Sequence, residues 1–261
     1  ATKQECQRNL EMALKTCKEL GVPVQPSKVT APAQQVEYLG IIIDSVAQEL
    51  RISAERQALL LRDVQSAVKH GWLHRKASQS LLGKLGWLAS VMPGARAYMR
   101  RLWEFLSSLP RRGKRQLTEG ALADLHWWEE SLTDPEWEGS VLFFTEHDLP
   151  VECMKSDASG HIGCGFHYGD EVRTYVWNSQ QLAHSIAWKE LYPVLLACRE
   201  FGPSWAHKII RTGLDNSSCV FIINSGSSKK EDCAALMREI ADLMKRYQFK
   251  LIASWVPREF N

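Results

Sequence analysis

No stretch of this 261-residue chain is apolar enough for long enough to cross a bilayer as a helix, so no membrane partner is expected. The start, Ala1-Thr2-Lys3-Gln4-Glu5, has neither the basic opening nor the apolar core of a signal peptide. No Cys-x-x-Cys pair occurs among the scattered thiols of Cys6, Cys17, Cys153, Cys164, Cys198, Cys219 and Cys233, so no zinc site is indicated. They read as reduced, mostly buried thiols of an intracellular protein, in cytoplasm or nucleus. There is no internal repeat and no low-complexity tract. Net charge is only +2, too little to argue for or against a nucleic-acid partner.

What is present is an ordinary globular balance over a length that suits two domains. Both ends look cut, as in a fragment of a longer polypeptide. Gln4–Leu20 reads as an amphipathic helix with Cys6, Leu10, Ala13, Leu14 and Cys17 on one side, ended by Gly21. Val36–Asp44 is β-rich, and Leu50–Ile52 is its candidate partner. Four helices are then predicted: Ser53–His70 with Ser53 as N-cap, Lys76–Met92, Ala95–Leu109 and Thr118–Leu132. Pro93-Gly94 separates the second from the third, and Pro110–Lys114 reads as a loop. The stretch Thr133–Gly139, with Pro135, reads as a linker and gives a boundary between residues 53–139 and 140–261.

Beyond it, strands are predicted at Val141–Thr145, Glu152–Asp157, Gly163–Tyr168 and Glu171–Trp177, the last two joined by a Gly169-Asp170 turn. A helix over Ser185–Phe201, a strand over Lys208–Leu214, helices over Ser217–Asn224 and Lys230–Tyr247, and a strand over Leu251–Val256 follow. Strands alternating with helices imply an α/β fold with a mixed sheet covered by helices.

Three acidic residues stand out. Asp157 and Asp215 close predicted strands, and Glu190 lies in the helix between them. An Asp at a strand end is more often a cap or turn residue than a catalyst. The ordered set says more, because ligands of α/β sheets collect at strand ends. Carboxylates gathered there repel one another unless a cation is present, and oxygen-only ligation suits Mg²⁺ or Mn²⁺. Two such ions can activate a water and stabilise the leaving oxygen of a phosphodiester.

Short motifs agree. Ser156-Asp157-Ala158-Ser159 with Gly163-Cys164-Gly165, Trp188-Lys189-Glu190-Leu191, Leu214-Asp215-Asn216 and the segment Ala253–Asn261 resemble, in order, four parts of retroelement ribonuclease H domains. Upstream, Leu20–Lys28, Tyr38-Leu39-Gly40, Leu82–Leu85, Pro93–Arg96 and Asp124–Trp128 resemble reverse transcriptases, those of DIRS-type, tyrosine-recombinase retrotransposons most. The resemblance implies the end of a polymerase palm with a primer-grip-like hairpin over residues 1–52. It implies a helical thumb and connection region over 53–139, and a ribonuclease H-like domain over 140–261. Asp157, Glu190 and Asp215 would be its catalytic metal ligands, and a fourth Asp would follow on a helix beyond this sequence. No Tyr-x-Asp-Asp motif is present, so this chain alone is not expected to polymerise DNA. Expected partners are an RNA–DNA hybrid or template-primer and the rest of the reverse transcriptase polypeptide.

Between Arg96 and Arg115 lie Arg96, Arg100, Arg101, Arg111, Arg112, Lys114 and Arg115, against Glu104 alone. The cluster either tracks a phosphate backbone or is a solvated helix face and loop. By resemblance, Ser159 and Asn216 contact the hybrid's backbone or 2′-hydroxyls. His161 and His167 read as surface residues and His184 as a weaker substrate contact. Trp72, Trp87, Trp103, Trp127 and Trp128 read as packing residues. A metal-dependent ribonuclease H is therefore expected. The alternatives are a non-catalytic scaffold or nucleic-acid-binding module of the same fold, and a domesticated host protein that only binds nucleic acid or protein.

Overall fold

The computed structural model describes residues 2–135, 137, 140–141 and 151–258. Thr2 and Glu5 form a reciprocal cap on α1 (Lys3–Glu19), whose expected apolar side has no buried residue. The β-rich stretch is broken at Leu39-Gly40, where φ is positive at both residues. It yields β1 (Gln35–Tyr38) and β2 (Ile41–Asp44), and β3 (Glu49–Ile52) pairs antiparallel with β2.

Ser53 caps α2 (Ala54–His70) as expected, its hydroxyl accepting from the Arg56 amide at 3.3 Å. Next come β4 (Trp72–His74), α3 (Arg75–Leu88), α4 (Arg100–Ser108), β5 (Lys114–Gln116) and α5 (Glu119–Thr133). Two expectations change. The predicted helix over Ala95–Leu109 is a 3₁₀ turn, Ala95–Tyr98, followed by α4. The predicted loop Pro110–Lys114 leads into β5, which pairs antiparallel with β4.

Ser140–Val141 forms β6, which pairs with β3 rather than with the later strands, so the expected boundary before 140 cuts a sheet. The rest of the predicted strand Val141–Thr145 lies outside the described residues. Then come β7 (Val151–Ala158), β8 (Gly163–Tyr168), β9 (Glu171–Val176), α6 (Ser179–Leu182), α7 (Ile186–Phe201), β10 (Ile209–Leu214), α8 (Ser217–Ser225), α9 (Glu231–Tyr247) and β11 (Lys250–Trp255). The sheet order is β11-β10-β7-β8-β9, with β7–β8–β9 an antiparallel meander and β10 and β11 parallel to β7. α7 lies across β7 and β8, and α8 packs on β11. This is the expected fold class, an α/β mixed sheet with flanking helices.

One core runs through both halves, joining Leu85, Leu88 and Trp128 to Leu191, Leu195 and Ile240. The junction is made on α9. Asp242 accepts from the Tyr98 hydroxyl and from the Trp127 indole, each at 2.8 Å, and those two rings stack 3.9 Å apart. Lys245 pairs with Asp134 at 2.9 Å. Gly94 adopts φ +75°, and a Cβ there would fall 2.5 Å from the Ala241 carbonyl oxygen, so the residue suits both the turn and the close approach. Among the described residues, no helix is long and apolar enough to cross a membrane.

A candidate metal centre of three carboxylates

Strand alternation sets Asp157. Along β7, Met154, Ser156 and Ala158 are buried while Cys153, Lys155 and Asp157 are exposed. Asp157 lies opposite Gly165 of β8, one residue before its strand ends. Asp215 follows the last residue of β10, the strand beside β7. It sits between that strand and Asn216, whose side-chain oxygen caps α8 by accepting from Ser218 at 3.0 Å and Cys219 at 3.4 Å. Glu190 comes from the second turn of α7, which Ser185 caps. Pro193 lacks the N–H that would bond the Lys189 carbonyl, so the helix ladder is interrupted beside Glu190.

These three side chains meet. One oxygen of each lies within 4.8 Å of those of the other two. They border an open cavity of about 570 Å³, together with Ser159, Gly160, Ile186 and Arg258. Glu190 is buried, Asp215 half-buried and Asp157 exposed. Burial first, and then the charges of Asp215 and Asp157, push the Glu190 carboxyl up to about 8, while Arg258 acts the other way. The Glu190 Oε2 atom is buried and has no hydrogen-bond partner among the described residues. The Arg258 guanidinium stands 4.0 Å from Asp215. A buried acceptor with no donor, in an all-oxygen cluster that repels itself, fits a hard divalent cation.

Of the remaining candidates, Ser159 and Asn216 line the same cavity. Ser159 spends its hydroxyl on its own turn, accepting from the His161 and Ile162 amides at 3.3 Å. His184 stacks on Trp188 at 4.0 Å, and its Nδ1 lies 3.6 Å from Asp232. His161 and His167 are exposed.

In the basic cluster, Arg101 is not a free surface cation. It pairs with Asp124, which is fully buried, because a carboxylate inside the helical layer needs a charged donor. Arg100 pairs with Glu104 at 2.8 Å, one helical turn on. Arg96, Arg111, Arg112, Lys114 and Arg115 are exposed. Lys114 lies 5.8 Å from the ring centre of Trp72, which is 46% exposed, as Trp103 is at 49%; these two tryptophans are not core residues, whereas Trp128 is buried.

Sequence reasoning missed three residues at the site. Lys189 is buried and bonds the carbonyls of Gly160 and Leu182. The Trp177 indole donates to Ser159 at 2.7 Å, and the Trp255 indole donates to the Asp215 carbonyl at 3.1 Å. Lys189 and Trp255 had a sequence signal, their places in the motifs of Glu190 and of Ala253–Asn261, whereas Trp177 had none.

No known protein family matches the chain, and no curated protein matches it. Solved structures do. A foamy viral protease-reverse transcriptase in complex with double-stranded DNA is 14% identical, with a TM-score of 0.45, over 97% of this chain and 43% of its own. The foamy viral protease-reverse transcriptase bound to an RNA/DNA hybrid is 14% identical, with a TM-score of 0.43, over 100% of this chain and 34% of its own. Ribonuclease H1 of the halophilic archaeon Halobacterium salinarum NRC-1 is 11% identical, with a TM-score of 0.34, over 42% of this chain and 88% of its own. The chain thus spans less than half the length of either viral chain.

Proposed function

We propose that this chain is part of a retroelement reverse transcriptase, of the DIRS type by its motifs, and that residues 140–261 form a ribonuclease H domain. It would hydrolyse the RNA strand of RNA–DNA hybrids. The observation that carries the reading is the convergence of Asp157, Glu190 and Asp215, with a buried Glu190 oxygen that finds no hydrogen-bond partner among the described residues. These three would hold Mg²⁺ or Mn²⁺, which when bound supplies an activated water and neutralises charge on the leaving oxygen. The chain's own part is positional. β7, β10 and α7 hold the carboxylates at fixed spacing, and the open cavity admits a backbone phosphate.

Residues 1–52 and 53–139 are read as the palm end with its primer-grip-like hairpin and as the thumb and connection. The side of α1 that is unburied here is where the rest of the polymerase would pack. Arg111, Arg112, Lys114 and Arg115, with Trp72 beside Lys114, are the phosphate contacts of choice for a hybrid or template-primer.

Labelled RNA–DNA hybrid and labelled duplex DNA, incubated with Mg²⁺ or Mn²⁺, test the reading. The RNA strand of the hybrid is cut and duplex DNA is left intact. Asp157→Asn keeps the shape, removes one charge from the centre, and lowers the rate at least ~100-fold while hybrid binding stays nearly unchanged. The assay is run on this chain and on a version extended past Asn261, since the resemblance puts a fourth ligand there. Hybrid bound but uncut by both, or Asp157→Asn cutting as fast as the parent, would replace the enzyme by a scaffold.

A further inference from the structure

A lysine ammonium buried among apolar groups costs free energy unless its protons are bonded, so one that is 5% exposed asks for a reason. Lys189 reaches two carbonyl oxygens, those of Gly160 at 2.6 Å and Leu182 at 3.0 Å. Neither is on its own helix. Gly160 lies in the turn that follows Asp157 at the end of β7, and Leu182 ends α6. Lys189 itself precedes Glu190, and successive helical residues point about 100° apart. One residue of α7 therefore faces the turn after Asp157 while the next faces the carboxylate centre.

The same turn is held from a second side. The Trp177 indole donates to the Ser159 carbonyl at 2.7 Å, and the Trp177 amide donates to Ile162 at 3.0 Å. Trp177 also packs beside Trp188 of α7, with ring centres 6.3 Å apart. The strand end that bears Asp157 and the helix that bears Glu190 are thus tied by a charged donor and an indole, both buried. Across the centre, the Cys219 thiol contacts the Ala187 carbonyl at 3.3 Å, linking α8, next to Asp215, to that helix.

We infer that Lys189 is a positioning residue: by clamping Gly160 to the helix of Glu190 it sets the Asp157–Glu190 spacing on which divalent-metal binding depends. This rests on the proposed metal centre. Groups that orient metal ligands from behind typically carry 10–100-fold in metal affinity. Lys189→Met keeps the stem and its packing while losing both hydrogen bonds and the charge.

The experiment measures Mn²⁺ binding by calorimetry, and the shift of melting temperature on adding Mn²⁺, for the parent, Lys189→Met, Lys189→Arg and Trp177→Phe. Expected is a loss of Mn²⁺ affinity of at least ~10-fold in Lys189→Met, with a smaller metal-induced melting shift. Lys189→Arg, which keeps a cation and donors, recovers part of it. Trp177→Phe, which frees the same turn from its other side, shows a loss in the same direction and decides the matter if Lys189→Met does not fold. A Lys189→Met protein that melts lower but binds Mn²⁺ as tightly as the parent makes the lysine a structural residue only and overturns the inference alone. A parent that binds no Mn²⁺ overturns the metal centre, and the inference falls with it.

Discussion

Glu190 is costly to the metal-free fold. Its folded pKa of about 8 stands above its ordinary value of 4.5. The protonated form is therefore the one the fold favours. Its contribution is complete below about 4.5 and is lost as pH rises through about 8. In a chelator, Glu190→Gln should melt higher than the parent, with a difference that grows across that window and levels off above it. Melting curves at a series of pH values from 4.5 to 9 check this. A difference that does not change with pH would show that the carboxyl titrates normally. Arg101 gives a contrasting case. Arg101→Ala leaves the carboxylate of Asp124 buried without its main partner, at a cost of about 3–5 kcal/mol. Urea unfolding should record that loss, and adding Asp124→Ala should recover part of it. A nucleic-acid contact would behave otherwise, weakening binding and sparing stability.

At the scale of elements, the β4–β5 ribbon and the loop before it are where binding should be read. Replacing Arg111, Arg112, Lys114 and Arg115 by Ala should weaken hybrid and template-primer alike. It should also flatten the dependence of log affinity on log salt, by roughly one unit per lost contact. An unchanged slope would leave the ribbon as solvated surface. This ribbon also shows what the sequence concealed. β5 is Lys-Arg-Gln, with no apolar alternation, and only its pairing with Trp72–His74 makes it a strand. Helices such as α2, α7 and α9 and the strands β7 and β8 were readable because burial gives them a local period, β9 was marked by its Gly169-Asp170 turn, and the carboxylate order followed from strand ends. The break at Met99 between the 3₁₀ turn and α4 was not readable, since the apolar pattern runs on through it. Nor was the pairing of Arg101 with a residue 23 positions away. Lys189 stood inside a motif, yet its burial depends on Gly160, which no spacing rule connects to it.

For the whole molecule, a continuous core predicts one unfolding event. Tryptophans lie in both halves, so fluorescence and helical circular dichroism should trace the same urea transition. Two separated transitions would restore a boundary near 139 as an energetic one, with residues 53–139 and 140–261 melting apart. The α9 junction has a temporal side as well. Tyr98 and Asp242, which share a 2.8 Å hydrogen bond, are 144 positions apart in the chain. At roughly 5–20 residues per second of synthesis, the face built from Met92, Tyr98 and Trp127 leaves the ribosome on the order of 10 s before α9 arrives to cover it. A nascent chain halted before residue 231 would therefore present that aromatic face to whatever is near, and should be held by chaperones until translation resumes.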